Sequence, residues 1–343
     1  MNAFYAELDP KQICLSFEGV RRALFVGIGG GGDVVTASVL ALSFERCGGE
    51  AVIASIVWER LSVDPVPGPV KLDELIGAEL RDGYAIVDSD TYAIRGGKRV
   101  VPQIANVAKA LERKLYALEI VGGVEGLVNG LRNLVKDLGI DLVVGIDVGG
   151  DALALGTEES LWSPLADAIG VAALAGLDRS ILAIASPGAD GELPKSYVLK
   201  RISGLAELGA LLGGYIFSKD DCRTYEKVLS VAKSEASSIP LKACLGYVGK
   251  VEIRGGSRCV DVDAVNLAVF FLDPKIVAQH SVAKYVAGSR SIDEARKRLH
   301  EQCIATELDL EEEVYGSNFS LSLEEARSRI RERVRRICRR TLY

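Results

Sequence analysis

Five short segments of the chain concentrate glycine and acidic or basic residues: GIGGGGD (27–33), ER (59–60), GG (122–123), DVGGD (147–151) and GADGE (188–192). In the first, Gly27, Gly29 and Gly32 fall in GxGxxG spacing, a pattern whose backbone amides cradle a phosphate at a helix amino terminus. Gly29, Gly30, Gly31, Gly32 and Asp33 are therefore candidate ligand-binding residues. Glu59 stands where a ribose-binding acid is expected, and the rigid PVPGP loop (65–69) could hold the neighbouring Arg60 toward an anion. A plainer reading makes the glycines a tight turn, Asp33 a helix cap and Arg60 half of a surface salt bridge. No GxxxxGK[ST] occurs, which excludes an ordinary P-loop.

The longest acidic segment, DVGGDALALGTEESLW, runs from Asp147 to Trp162. Asp147 and Asp151, joined through Val148 and the pliant Gly149 and Gly150, can turn both carboxylates toward one divalent cation, with Glu158 or Glu159 as a further oxygen ligand. Gly149 and Gly150 also count as candidate ligand-binding positions. Asp190 and Glu192 are candidate catalytic carboxylates, positioned to act as general base or to orient water. Turn formation is the alternative for each group, and it is the preferred reading for Asp88 and Asp90. Oxygen ligands select a hard ion, Mg²⁺ or Mn²⁺. The seven cysteines never form Cys-x-x-Cys, which argues against structural zinc, and they read mostly as small core residues. His280 and His300 are the only histidines, and neither lies in a nucleophile motif, which disfavours a histidine-assisted serine or cysteine hydrolase.

These residues need a scaffold. Short apolar runs at 22–27, 51–58, 115–121, 141–146 and 180–185 alternate with amphipathic stretches, the pattern of a largely parallel, Rossmann-like α/β sheet with flanking helices. Each glycine-acid segment then follows a strand at its carboxyl end, where open α/β sheets bind ligands. Ser163-Pro164 reads as a helix start, and Ser291 with Glu294 and Ser322 with Glu325 as capping boxes. Two β-hairpin insertions are expected around Gly96-Gly97 and Gly255-Gly256, and the run 265–272 as a late, antiparallel strand. After Pro274 the pattern is helical and charged, dividing the chain into an α/β domain (1–274) and a helical carboxyl-terminal extension (275–343). The last helix carries eight arginines beside an apolar stripe of Leu323, Ile330, Val334 and Ile337, and reads as a packing helix more readily than as a nucleic-acid or membrane element.

The 343 residues, 48% of them hydrophobic, can bury a sizeable core, and the net charge of −6 offers no general attraction to nucleic acid. No apolar run reaches the roughly 20 residues of a membrane span. MNAFYAELDPKQ lacks the look of a secretory signal, so the expected location is cytoplasmic. Homo-oligomerisation stays open.

GIGGGGDVVTA, WER with the downstream DPVPGP, and DVGGDALALGTEESLWSPLADA together resemble the mainly archaeal family called domain of unknown function 1152. The resemblance covers most of the chain and implies a shared α/β fold, with Gly29 to Asp33, Glu59, Arg60, Asp147, Gly149, Gly150, Asp151 and Glu158 as family-site residues. It brings no activity with it. DVGGD with the following Gly-Thr-Glu is also similar to the glycine-aspartate motif of D-glutamate cyclase-like proteins, which implies a metal-assisted lyase or cyclase of an acidic amino acid as one alternative. The residues themselves favour a divalent-metal-dependent enzyme acting on a small phosphorylated or nucleotide metabolite. A non-catalytic nucleotide sensor and a nicotinamide (NAD)-dependent oxidoreductase also stay open, the latter lacking an evident hydride-transfer acid or base.

Overall fold

A computed structural model describes residues 14–341, with side chains described as far as Cys338. The amino-terminal MNAFYAELDPKQ lies outside the described residues, as do the side chains of Arg339 and Arg340. The strands are β1 (Arg22–Gly27), β2 (Glu50–Ile56), β3 (Glu79–Leu80), β4 (Tyr84–Val87), β5 (Ala93–Arg95), β6 (Lys98–Val100), β7 (Leu115–Leu118), β8 (Leu142–Val148), β9 (Ser180–Ala185), β10 (Leu211–Ile216), β11 (Gly249–Ile253), β12 (Arg258–Val262) and β13 (Ala268–Leu272). Nine of them form one sheet in the order β10-β13-β9-β8-β1-β2-β7-β4-β3. The central five, β7-β2-β1-β8-β9, are parallel; β4 and β13 join them antiparallel on either side.

The chain leaves β1 in one direction through β2 and β7, then returns to pair β8 on the other side of β1. That reversal leaves a crevice between β1 and β8 at their carboxyl ends, the place where doubly wound sheets bind ligands. Helices α1 (Val34–Arg46), α2 (Gln103–Leu111), α6 (Lys219–Leu229) and α7 (Glu235–Cys244) cover one face. On the other lie α3 (Gly123–Leu138), α4 (Pro164–Ala175), α5 (Lys195–Glu207), α8 (Pro274–Gln279), α9 (Ala283–Val286) and α10 (Ile292–Glu301). The last two helices, α11 (Glu307–Gly316) and α12 (Leu323–Thr341), pack against each other.

Helix α4 matters most for the site. Its sequence, PLADAIGVAALA, is apolar on every side except at Asp167, as expected of a helix buried between layers. Two missing side chains let it approach the sheet: a Cβ at Gly145 would sit 2.2 Å from Leu174, and one at Gly170 would sit 2.7 Å from Ile28. This close packing brings the α4 amino terminus beside the loop after β1.

The two hairpins form, as β5–β6 and β11–β12, and the late strand is β13. The structure adds β3, β4 and β10, which the apolar periodicity does not predict. Gly213 and Gly214 interrupt the pattern of β10, whose pairing with β13 is irregular between Leu211 and Gly213, while β3 and β4 are only two and four residues long. Ser322 and Glu325 make the expected reciprocal cap. Ser291 accepts the Glu294 amide, but the Glu294 carboxylate takes the Arg290 amide instead. On α12, Ile330 and Val334 pack on Trp162, with the guanidinium groups of Arg327 and Arg331 about 5 Å over its ring, whereas Leu323 is exposed. Among the described residues no helix is long and apolar enough to cross a membrane.

Six of the seven cysteines, read from the sequence mostly as small core residues, are paired. Cys14–Cys47, Cys222–Cys244 and Cys303–Cys338 are disulfides with Cα separations of 5.3–5.8 Å, and Cys259 is free and exposed. Pairing between residues 22 to 35 positions apart leaves no short sequence motif. Thiol titration of the unreduced protein in denaturant should find one reactive group per chain, rising to seven after reduction; seven before reduction would contradict the pairing. Cys303→Ser should lower stability by about 4 kcal/mol, the scale expected for opening a loop of this length.

Candidate functional site

Past Gly27 the chain runs through Gly29 and Gly30 into a 3-10 turn, Gly31–Asp33, which leads directly into α1. The Gly29 amide donates to the Asp33 carboxylate at 3.0 Å, and the Gly31 amide donates to the Trp58 carbonyl at 2.9 Å. Asp33 therefore does not cap α1 with its side chain. A Cβ on Gly29 would sit 2.7 Å from oxygens of both Asp33 and Asp167, and one on Gly31 would sit 2.6 Å from Glu59 Oε1. The glycines here make room for carboxylates to lie against the backbone.

The product is a buried acidic triad. Asp33, Asp147 and Asp167 each present a carboxylate oxygen within 4.8 Å of the other two, and none is more than 8% exposed. Asp147, near the end of β8, accepts the Gly150 and Ala152 amides weakly, at 3.4 and 3.3 Å. Asp167 Oδ1 is buried without a hydrogen-bond partner among the described residues. Burial, and then the neighbouring negative groups, pushes the carboxyls of Asp33, Asp147 and Asp167 well above the ordinary aspartate range. Three ionised aspartates could not share this space without a compensating positive charge.

Next to the triad the acids are divided by their partners. Glu192 accepts the Trp162 and Ser163 amides, the Ser163 hydroxyl at 2.7 Å and the Arg254 guanidinium at 2.8 Å. Burial works against ionisation of Glu192, but Arg254, Arg60 and these hydrogen bonds outweigh it and hold the carboxyl below its usual range. Ser163, expected as a helix cap, instead turns its hydroxyl to Glu192 and Asp151, and the first amides of α4 are satisfied by carboxylates. Asp190 accepts the Glu192 amide through Oδ1, leaves Oδ2 buried and unpartnered among the described residues, and is raised by burial and by Glu192. Asp151 is raised by burial and by Asp167, Asp190 and Asp147.

Helix α11 closes the cleft with two more acids. Glu307 accepts the Leu165 and Ala166 amides at 3.0 and 2.8 Å; Glu311 accepts the Trp58 indole N–H at 3.0 Å and the Gly68 amide at 2.8 Å. Burial, partly offset by these bonds, pushes both carboxyls up to about 7, and Glu59, which accepts the Gln103 amide, likewise to about 7. The cavity measures about 350 Å³ and is lined by nine carboxylate residues and three cationic ones.

Of the residues singled out in the sequence, Gly29, Gly30, Gly31, Gly32, Asp33, Glu59, Arg60, Asp147, Asp151 and Asp190 line this one cavity. Glu192 lies directly behind it through Ser163 and Arg254. Glu158 does not reach it: its carboxylate accepts the Leu155 and Gly156 amides and the Tyr197 hydroxyl, closing its own turn. Asp147 is accordingly grouped with Asp33 and Asp167, in place of the expected Asp151 and Glu158. Gly149 and Gly150 also lie outside the lining; both have positive φ, and a Cβ on Gly149 would overlap the Asp190 carboxylate. The cavity also takes in Asp167, Glu307, Glu311, Arg254 and Lys233, none of which belongs to a glycine-acid segment. Asp167 has a legible signal, the lone charge in an apolar helix, and Arg254 stands beside the Gly255-Gly256 hairpin turn; Lys233, Glu307 and Glu311 come from late segments with no local motif. Asp88 accepts the Asp90 amide and the Thr91 hydroxyl, the expected turn.

A family model described as a protein of unknown function, DUF1152, matches residues 24–315. The chain belongs to that family. The matched span includes every cleft residue from Gly29 to Glu311 and ends before α12. No curated protein and no solved structure matches the chain.

The raised value of Glu311 fixes a sign for stability. The folded protein keeps this proton up to about pH 7, whereas the unfolded chain releases it near 4.5, so its contribution to stability is full below 4.5 and is lost as pH rises to 7. Glu311→Gln keeps a carbonyl acceptor and cannot ionise. Its stability relative to wild type should improve between pH 4.5 and 8 by an amount on the order of 2–3 kcal/mol, read from denaturant melts. A difference that does not change with pH would contradict this assignment.

Proposed function

We propose that the cleft is the active site of a divalent-metal-dependent enzyme acting on a small phosphorylated or nucleotide metabolite. The observation that carries this reading is the triad of Asp33, Asp147 and Asp167, buried and mutually within 4.8 Å, with one oxygen of Asp167 lacking any partner among the described residues. Buried charges persist when they are paired or coordinate a metal, and three carboxylates with no nearby thiol or imidazole suit Mg²⁺ or Mn²⁺. Such an ion would supply Lewis-acid polarisation of a substrate oxygen.

The chain's own groups supply the rest. Asp190, whose raised affinity for a proton comes from burial beside Glu192, is placed as general base, and Glu192 with Arg254 fixes its orientation through the Glu192 amide. Arg60 at the mouth and the open face of Gly30 receive the anionic part of the ligand. A Cβ on Gly30 would lie 3.8 Å from Arg60 and 4.0 Å from the Trp58 carbonyl, ordinary contact distances, so this face of the loop borders Arg60 without a clash. Ligand binding without turnover would turn the assignment to a sensor, and turnover of an acidic amino acid to a lyase or cyclase.

Asp167→Asn retains the volume and removes one ligand charge. Calorimetry on chelator-treated protein should show Mg²⁺ or Mn²⁺ binding by wild type and at least about a tenfold loss in the variant, a coordination effect of more than about 1.4 kcal/mol. Equal affinities in the two proteins would overturn the cation site.

A further inference from the structure

Three cationic side chains line the cavity: Arg60, Lys233 and Arg254. Arg254 is committed to Glu192, and the nearby Arg258 donates to the Ser160 carbonyl. Arg60 and Lys233 form no side-chain hydrogen bond or ion pair with any described residue, although they border a cavity lined by nine carboxylate residues. Both are exposed at the mouth, as is Glu235, which accepts the Arg254 amide, while the other eight lining acids are buried.

Their backbones share one hydrogen-bonded frame. The Lys233 amide donates to Gln103 Oε1 at 2.6 Å, and the Gln103 amide donates to Glu59 Oε1 at 2.8 Å, beside Arg60. The next residue, Ser234, accepts the Ser237 amide at the start of α7 and sits where a Cβ on Gly32 would be 2.8 Å away; Ser237 in turn donates to the Gly32 carbonyl. Arg60 flanks Gly30 and the Lys233–Ser234 turn flanks Gly32, while Gly29 abuts Asp33 and Asp167. Four consecutive residues thus span from the triad to both unpaired cations.

Resting on the cation reading above, we propose that Lys233 and Arg60 form a two-cation clamp that holds a phosphate group of the ligand directly against the triad-bound metal ion. With an ion on the triad, positive charge would border the loop at Gly29, at Gly30 through Arg60 and at Gly32 through the Lys233–Ser234 turn. A tetrahedral phosphate can offer a separate oxygen to each; a planar carboxylate has two oxygens in one plane and leaves one centre unmatched. The clamp therefore selects phosphate esters over carboxylic acids, and Lys233 is a specificity-determining residue supplied by the turn before α7 rather than by the glycine loop.

The test uses inorganic phosphate as probe and acetate as the carboxylate control, on full-length protein loaded with Mn²⁺. Paramagnetic enhancement of ³¹P relaxation reports phosphate close to the ion, and electron paramagnetic resonance reports Mn²⁺ affinity separately. Wild type should enhance relaxation, Lys233→Ala and Arg60→Ala should cut phosphate affinity at least about tenfold with Mn²⁺ affinity unchanged, and Lys233→Arg should restore it. Gly30→Val, whose added methyl groups would crowd the Arg60 guanidinium, should also block phosphate. Mn²⁺ binding without phosphate enhancement, equal phosphate affinity in Lys233→Ala, or displacement by acetate at equal concentration would overturn the clamp alone. Absence of Mn²⁺ binding by wild type would overturn the clamp and the cation site together.

Discussion

Repulsion among carboxylates removed from water is the constraint on which this structure turns. A buried acid can lose its charge to a proton, share it with a cation, or commit it to hydrogen bonds from amides. All three solutions bear on one cleft. Glu192 uses amides, a hydroxyl and a guanidinium; Glu307 and Glu311 use amide and indole donors and hold their protons to near neutrality. Asp33 has one amide donor, Asp147 two long ones, and Asp167 leaves a buried oxygen unpartnered among the described residues, so protons or a cation must stabilise them.

The fold serves that constraint. Reversal of the strand order beside β1 opens the crevice, and close packing of α4 through Gly145 and Gly170 drives Asp167 into it. The glycine loop is then built around carboxylates, because two of its amides are already used and two of its Cα atoms are covered by acidic side chains. The carboxyl-terminal α11 completes the enclosure, so residues far along the chain from the first glycine-acid segments still shape their electrostatics.

Much of this is legible in the chain alone. The five parallel strands, both hairpins and the placement of acids at the carboxyl edge follow from local periodicity and turn residues, which short windows carry. Glu158 misleads because an acid in a long loop can equally close its own turn, and its three donors, Leu155, Gly156 and Tyr197, are invisible to spacing. Asp167, Glu307 and Glu311 escape for a different reason. Each reaches the cleft through tertiary packing, and only Asp167, a charge inside PLADAIGVAALA, announces the conflict in its own sequence. The disulfides likewise join distant elements and leave no short-range pattern.

Anomalous diffraction from crystals grown with Mn²⁺ tests the central claim most directly, because it locates the ion without assuming a substrate or a reaction. The account predicts one strong peak at the carboxyl edge between β1 and β8, in contact with carboxylate oxygens of Asp33, Asp147 and Asp167. An empty triad at saturating Mn²⁺, or a peak held by other residues while these three aspartates remain uncoordinated, would contradict it.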